Sequence, residues 1–237
     1  LARIGALRTD LLPVNGAVMA EVAAARDAGR EVVLASASHA PLVEQLAADH
    51  GLSARVFASD GQVNLKGEAK AAALVEAFGE GGFDYAGNEA ADRKIWARAD
   101  RALVVGDPAS AAALEAEGKP VTRIDSGQSA AGLLKAFRPH QWVKNLLLFV
   151  PLLAGHVFVP WPWLVTLLAA LAFSLGASAI YVVNDLIDLE ADRLHATKRR
   201  RPFAAGRVSI LVGMGAGLGA GVLALLIAAL VGWGVFW

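Results

Sequence analysis

Two hydropathy regimes divide the chain. Up to about residue 126, short apolar runs alternate with amphipathic stretches bounded by glycines, and beyond residue 138 the apolar runs lengthen toward the thickness of a bilayer. In the first regime, helical spacing over 17–30 ends at Gly29, and 31–35 reads as a short apolar strand running into Ser36. A helix over 41–50 closes at Gly51. Strands at 55–58, 83–86, 102–105 and 121–124 then interleave with helices at 68–78, 90–97 and 109–117. Such alternation predicts an α/β domain with a mostly parallel sheet covered on both faces, whose ligands bind beyond the carboxyl ends of the strands.

The small, polar stretch from Asp125 to Gly132 reads as a boundary. The expected organisation is an α/β domain over 1–126, a linker over 127–137 and an all-α transmembrane domain over 138–237. About three spans are predicted, at 146–159, 163–183 and 208–230; the first is interrupted by Pro151 and His156 and flanked by Trp142 and Trp161. The loop over 160–162 carries no charge, whereas the next contains Arg193, Lys198, Arg199, Arg200, Arg201 and Arg207. By the positive-inside rule the second loop and the N-terminal domain face the cytoplasm, which predicts an integral protein of the cell (inner) membrane.

Composition sharpens this division. The 22 basic and 22 acidic residues cancel, while 56% of residues are hydrophobic and the mean hydropathy is +0.48. No nucleic-acid partner is expected. Without cysteine there is neither a disulfide framework nor a thiolate metal site. The chain opens on Leu1 with no apolar signal segment and is expected to be a fragment.

The chemistry concentrates between Tyr181 and Gly206. If the second span continues as helix, Asp185, Asp188 and Asp192 fall close to one stripe, with Asn184 beside them. Carboxylates crowded at the end of an apolar helix require a compensating cation. Hard oxygen ligands suit Mg²⁺, which keeps water and takes further oxygens from substrate phosphates. The basic residues that follow, Arg193, His195, Lys198, Arg199 and Arg201, are suited to gripping the remaining phosphate oxygens. The plainer reading is that the acids solvate a helix end and the basic run only sets topology.

Asn184-Asp-x-x-Asp-x-x-x-Asp192 resembles the first aspartate-rich motif of the UbiA superfamily of intramembrane prenyltransferases. Arg138-Pro-x-Gln-Trp-Val-Lys-Asn145, and Asp192-Arg-x-His-x-x-Lys-Arg-x-Arg-Pro202 with Ala204-Ala-Gly206, resemble its decaprenyl-phosphate phosphoribosyltransferase branch. Ala196 departs from the proline usual there. The resemblance implies that Asp185, Asp188 and Asp192 hold Mg²⁺ and act in catalysis, while Asn184, Lys144, Arg193, Lys198 and Arg201 contact a diphosphate-bearing donor. The acceptor would be a polyprenyl phosphate lipid in the bilayer. It also implies a larger bundle with a second aspartate-rich motif, so the C-terminal part is expected to be a partial UbiA domain.

In the first half, Ser36 after a strand, Lys66 and Lys70 opening a helix, and Gly87-Asn88-x-x-x-Asp92 resemble later motifs of the haloacid dehalogenase (HAD) superfamily. The resemblance implies a HAD-like Rossmannoid fold. Residues 2–7 lack the paired aspartates of its nucleophile strand, so a non-catalytic relative is expected. The functions carried forward are a UbiA-type transferase moving a phosphoribosyl or prenyl group, a membrane-tethered HAD-type phosphatase, and a non-catalytic HAD-like regulatory module on a membrane anchor.

Overall fold

Among the described residues five short strands form in the N-terminal half, but they do not form one sheet. In the computed structural model, which describes residues 8–52 and 55–232, β1 (Leu34–His39) pairs in parallel with β2 (Val56–Ser59). A separate parallel sheet has the order β3-β4-β5, with β3 at Tyr85–Gly87, β4 at Ala102–Val105 and β5 at Val121–Ile124. By contacts the chain divides into two units, Leu1–Gly127 and Gln128–Trp237.

The split corrects the expected HAD-like Rossmannoid domain. No ladder joins the two sheets among the described residues, and a groove of about 620 Å³ lies between the edges of β1 and β3, lined by Leu34, Ala35, Tyr85, Ala86 and Leu103. The first helix, α1 (Gly16–Asp27), borders this groove through Val18 and Met19 and buries no residue. Local alternation identifies segments with strand character, but which strands pair depends on partners distant in sequence. The phosphatase and regulatory-module readings rest on that fold and lose its support. The degenerate nucleophile motif read at 2–7 lies outside the described residues. Strand β1 also starts later than expected, because its register with β2 opens at Leu34 against Val56, and it includes Ser36.

The three-stranded sheet carries the better core. Helices α2 (Ala40–Asp49), α3 (Glu68–Phe78), α4 (Arg93–Trp96) and α5 (Pro108–Ala116) complete the unit. Leu74, Phe83, Ile95, Trp96, Val104 and Leu114 pack together out of water, and Trp96 Nε1 donates to the Tyr85 carbonyl at 3.1 Å. Burial of the indole is thereby reconciled with its one polar group.

The C-terminal unit is helical. After α6 (Ala130–Ala136), a 3-10 segment occupies Pro139–Phe149, α7 is confined to Val150–Ala154, and α8 runs from Pro160 to Ile187. Helix α9 spans Leu189–Leu194 and α10 spans Ile210–Gly232. Among the described residues two helices, α8 and α10, of 28 and 23 residues, are long and apolar enough to cross a membrane, which corrects the expected three spans. Pro151 explains the loss of the first: it offers no N–H to the carbonyl four residues back, so a helix begins near it but cannot run through it. Helices α8 and α10 approach closely where side chains are small. A Cβ on Gly217 would lie 3.0 Å from Val182, and one on Gly213 would overlap the buried Phe203 ring.

Candidate functional site

Helix α8 does not continue smoothly through the acidic motif. It ends at Ile187, Asp188 occupies the junction with φ −85° and ψ 8°, and α9 begins at Leu189. This break, with the turn at Lys198–Arg200 that follows α9, sets the site's geometry. Asp185 and Asp192 are buried, whereas Asp188 and Asn184 are exposed. The Asn184 carbonyl accepts the Asp188 N–H at 2.9 Å and closes the last turn of α8.

The returning turn brings Arg201 onto both buried acids. Its Nη1 donates to Asp192 Oδ2 at 2.7 Å and lies 3.2 Å from Asp185 Oδ1. Arg138, at the start of the 3-10 segment, donates from Nη2 to the same Asp185 oxygen at 2.5 Å, and its guanidinium sits 4.6 Å from the Tyr181 ring centroid. Two guanidiniums thus compensate two carboxylates that are almost fully out of water. A buried acid without such a partner costs several kcal/mol, on the order of 3–5.

The turn is held by its own sequence. His195 Nδ1 accepts from the Thr197 and Lys198 N–H groups at 3.3 and 3.4 Å, and Phe203 anchors the far side against Ala136, Val182 and Val208. Two polar atoms in it have no hydrogen-bond partner: Asp192 Oδ1 and Arg193 Nε are both buried. Lys198 Nζ stands 4.0 Å from the orphan Asp192 oxygen. Burial also lowers the pKa of Arg193, since its charged form is poorly solvated.

The structure therefore brings together Asp185, Asp192 and Arg201, with Lys198 at the edge and Arg193 adjoining. Asp188 and Asn184 are exposed at the same helix end. Lys144 is exposed on the 3-10 segment, and no ion pair links it to the acids among the described residues. In the sequence Arg138 reads as part of an interfacial basic motif, and its place in the site is not evident there. The signal present was an arginine placed directly before Pro139 at the entrance of an apolar segment.

Among the described residues, no three His, Asp or Glu side chains converge as a ready-made metal cage. The donor set nevertheless suits a hard cation in kind. Asp192 Oδ1 is an anionic oxygen with no protein donor, the Asp185 carboxylate lies beside the same guanidinium, and Asp188 is open to a ligand. Two protein carboxylates leave most of an octahedral shell to water and substrate oxygens, the usual arrangement for Mg²⁺.

In the N-terminal unit, Lys70 and Asp92 meet through Tyr85. Lys70 Nζ donates to Tyr85 Oη at 3.1 Å, Tyr85 Oη donates to Asp92 Oδ1 at 3.1 Å, and Asp92 Oδ2 accepts the Asn88 and Glu89 N–H groups. Burial, reinforced by the Asp92 charge, raises the tyrosine pKa. Ser36 and Lys66 do not join this network: Ser36 Oγ accepts from Ser38 N–H, and Lys66 is exposed. Every polar group of the trio is satisfied within it, as in a structural core network. Asp92→Ala is expected to destabilise this unit by about 3 kcal/mol, because it strands a buried ammonium and two N–H groups. Faster hydrogen exchange in the β3 amides of the intact protein would register it, and unchanged protection would exclude it.

An acid and arginine cluster at the end of a membrane-length helix defines this unit as a candidate anion and cation site at a membrane edge. Residues 146–237 match the UbiA prenyltransferase family profile, so this part of the chain is similar to that family of membrane transferases. The uncharacterized protein y4nM of Sinorhizobium fredii is 39% identical over 217 residues, covering 90% of this chain and 42% of that protein. Decaprenyl-phosphate phosphoribosyltransferase of Corynebacterium glutamicum is 50% identical over 89 residues, 36% of this chain and 27% of that enzyme. The enzyme of the same name from Mycobacterium tuberculosis is 53% identical over 83 residues, 33% of this chain and 28% of its own. The chain spans less than half the length of these relatives.

Proposed function

We propose that the C-terminal unit binds the diphosphate of a phosphoribosyl donor for transfer to a polyprenyl phosphate in the membrane. The observation that carries this reading is the buried Asp185 and Asp192 pair, with one orphan carboxylate oxygen, enclosed by Arg138, Arg201 and Lys198. Similarity to two decaprenyl-phosphate phosphoribosyltransferases supports the choice of donor and acceptor. So does the basic turn, since a donor with a diphosphate and a further phosphate needs more cations than a prenyl diphosphate does.

In this reading Asp185 and Asp192 would hold Mg²⁺, with Asp188 at the exposed helix end open to its water or substrate shell, and the ion would supply positive charge to the departing diphosphate. Arg201 and Lys198 grip diphosphate oxygens, Arg138 pairs with Asp185 and orients it, and the half-buried Arg193 with the exposed Asn184 and Lys144 side chains reach donor oxygens near the same surface. The donor C1–O bond breaks as an acceptor phosphate oxygen bonds to C1, and diphosphate leaves with its negative charge balanced by the basic turn. By loop charge, the site opens on the cytoplasmic face of the inner membrane.

Membranes carrying the intact protein are expected to convert phosphoribosyl diphosphate and decaprenyl phosphate into a phosphoribosylated lipid, in a Mg²⁺-dependent manner. Turnover of a prenyl diphosphate with an aromatic acceptor, and none with phosphoribosyl diphosphate, would sink this assignment in favour of the prenylating reading.

A further inference from the structure

Arg138 is held in an uncommon backbone conformation. Its φ of 53° and ψ of 53° place it in the left-handed region, and among the described residues His156 is the other non-glycine residue with positive φ. Such a residue persists where its surroundings over-determine it. Here three levels of one stripe of α8 do so. Ser178, fully buried, donates from Oγ to the Phe137 carbonyl at 2.8 Å, fixing the peptide that leads into Arg138. Tyr181 lies under the guanidinium, and Asp185 accepts from it.

The first level is locked from the other side. Trp142 Nε1 donates to Ser178 Oγ at 3.0 Å, and Gln141 N–H donates to the Arg138 carbonyl at 2.8 Å. The Ser178 hydroxyl also lies 2.8 Å from the Ser174 carbonyl, so its single proton has two acceptors. The indole donation fixes the hydroxyl oxygen between the 3-10 segment and the helix. Neither Trp142 nor Ser178 touches an acid of the site.

We propose that the Trp142–Ser178–Phe137 carbonyl latch is a positioning device for Arg138, setting the guanidinium against Asp185 before any donor arrives. This role rests on the diphosphate-binding reading only for its consequence, not for the latch itself. A residue that merely packed α8 against the 3-10 segment would need no hydrogen-bonded path to the one left-handed arginine of the site.

The test has two arms on the intact protein in nanodiscs. In the ligand-free protein, the Arg138 side-chain Nε–H resonance is expected to be resolved and ring-shifted by Tyr181. Ser178→Ala and Trp142→Phe, which remove the hydroxyl and the indole donor, are each expected to shift it toward that of a solvated arginine. In the second arm, Mg²⁺-dependent binding of inorganic diphosphate is expected to weaken about tenfold in either variant, the size of one lost hydrogen bond. In an Arg138→Gln background the same substitutions are expected to cost nothing further, because the latch acts through that side chain. An unmoved Arg138 resonance in both variants overturns the proposal, as does an equal loss of binding with and without Arg138. If the wild-type protein binds no diphosphate while Ser178→Ala still frees Arg138, the latch stands and the donor-site reading falls.

Discussion

Asp192→Asn is expected to abolish Mg²⁺-dependent diphosphate binding, with a loss on the order of 100- to 4000-fold. Asp192 is 1% exposed, so its charge survives only through its neighbours. Oδ2 is committed to Arg201, and Oδ1 has no donor at all. A buried anionic oxygen with no hydrogen-bond donor and only the Lys198 ammonium at 4.0 Å is expensive, and a hard cation is the ligand that would satisfy it most fully. Asparagine preserves the shape but removes the charge and breaks the match with Arg201. The expected penalty is about 3–5 kcal/mol, the cost of removing one member of a buried charge group, and every 1.4 kcal/mol is about tenfold in affinity. Titration calorimetry with Mg²⁺ and inorganic diphosphate would measure it. Wild-type affinity in the variant would remove Asp192 from the site.

The pairing behind that expectation was only partly legible in the sequence. Asp192 and Arg201 are nine residues apart within one polar stretch, so a local reading places them together. The stripe of three acids does not survive, because it assumes unbroken helix past Ile187, and the chain breaks at Asp188. Arg138 and Asp185 are 47 residues apart, a contact made by tertiary packing that no periodicity encodes. The same division holds for the fold. Helices α8 and α10 fall close to the predicted spans because length and apolarity are properties of a contiguous segment. Strands β1 to β5 were visible as segments, yet their division into two sheets was not, since it depends on which edges meet. At 146–159 the interruption is Pro151, and its consequence is a short α7 in place of a spanning helix.

Arg201→Ala is expected to give opposite results in two measurements, and that opposition makes it informative. Arg201 is the shared counter-ion of Asp185 and Asp192, through a single nitrogen that reaches both. Removing it leaves two buried carboxylates with like charge and only Arg138 and the more distant Lys198 to offset them. The ligand-free protein should therefore be destabilised by about 3–5 kcal/mol, the cost of breaking a buried pair by deleting one partner. Mg²⁺ replaces the missing charge directly, so its stabilisation of the variant should exceed its stabilisation of the wild-type protein, where the cation competes with a guanidinium already in place. Diphosphate affinity should move the other way, falling because the grip on the anion is gone. Thermal midpoints with and without Mg²⁺, then with added inorganic diphosphate, would resolve the two effects. A variant that Mg²⁺ stabilises no more than the wild type would show that the acid pair does not take up the cation. A variant with undiminished diphosphate affinity would assign the anion grip to Arg138 and Lys198 instead.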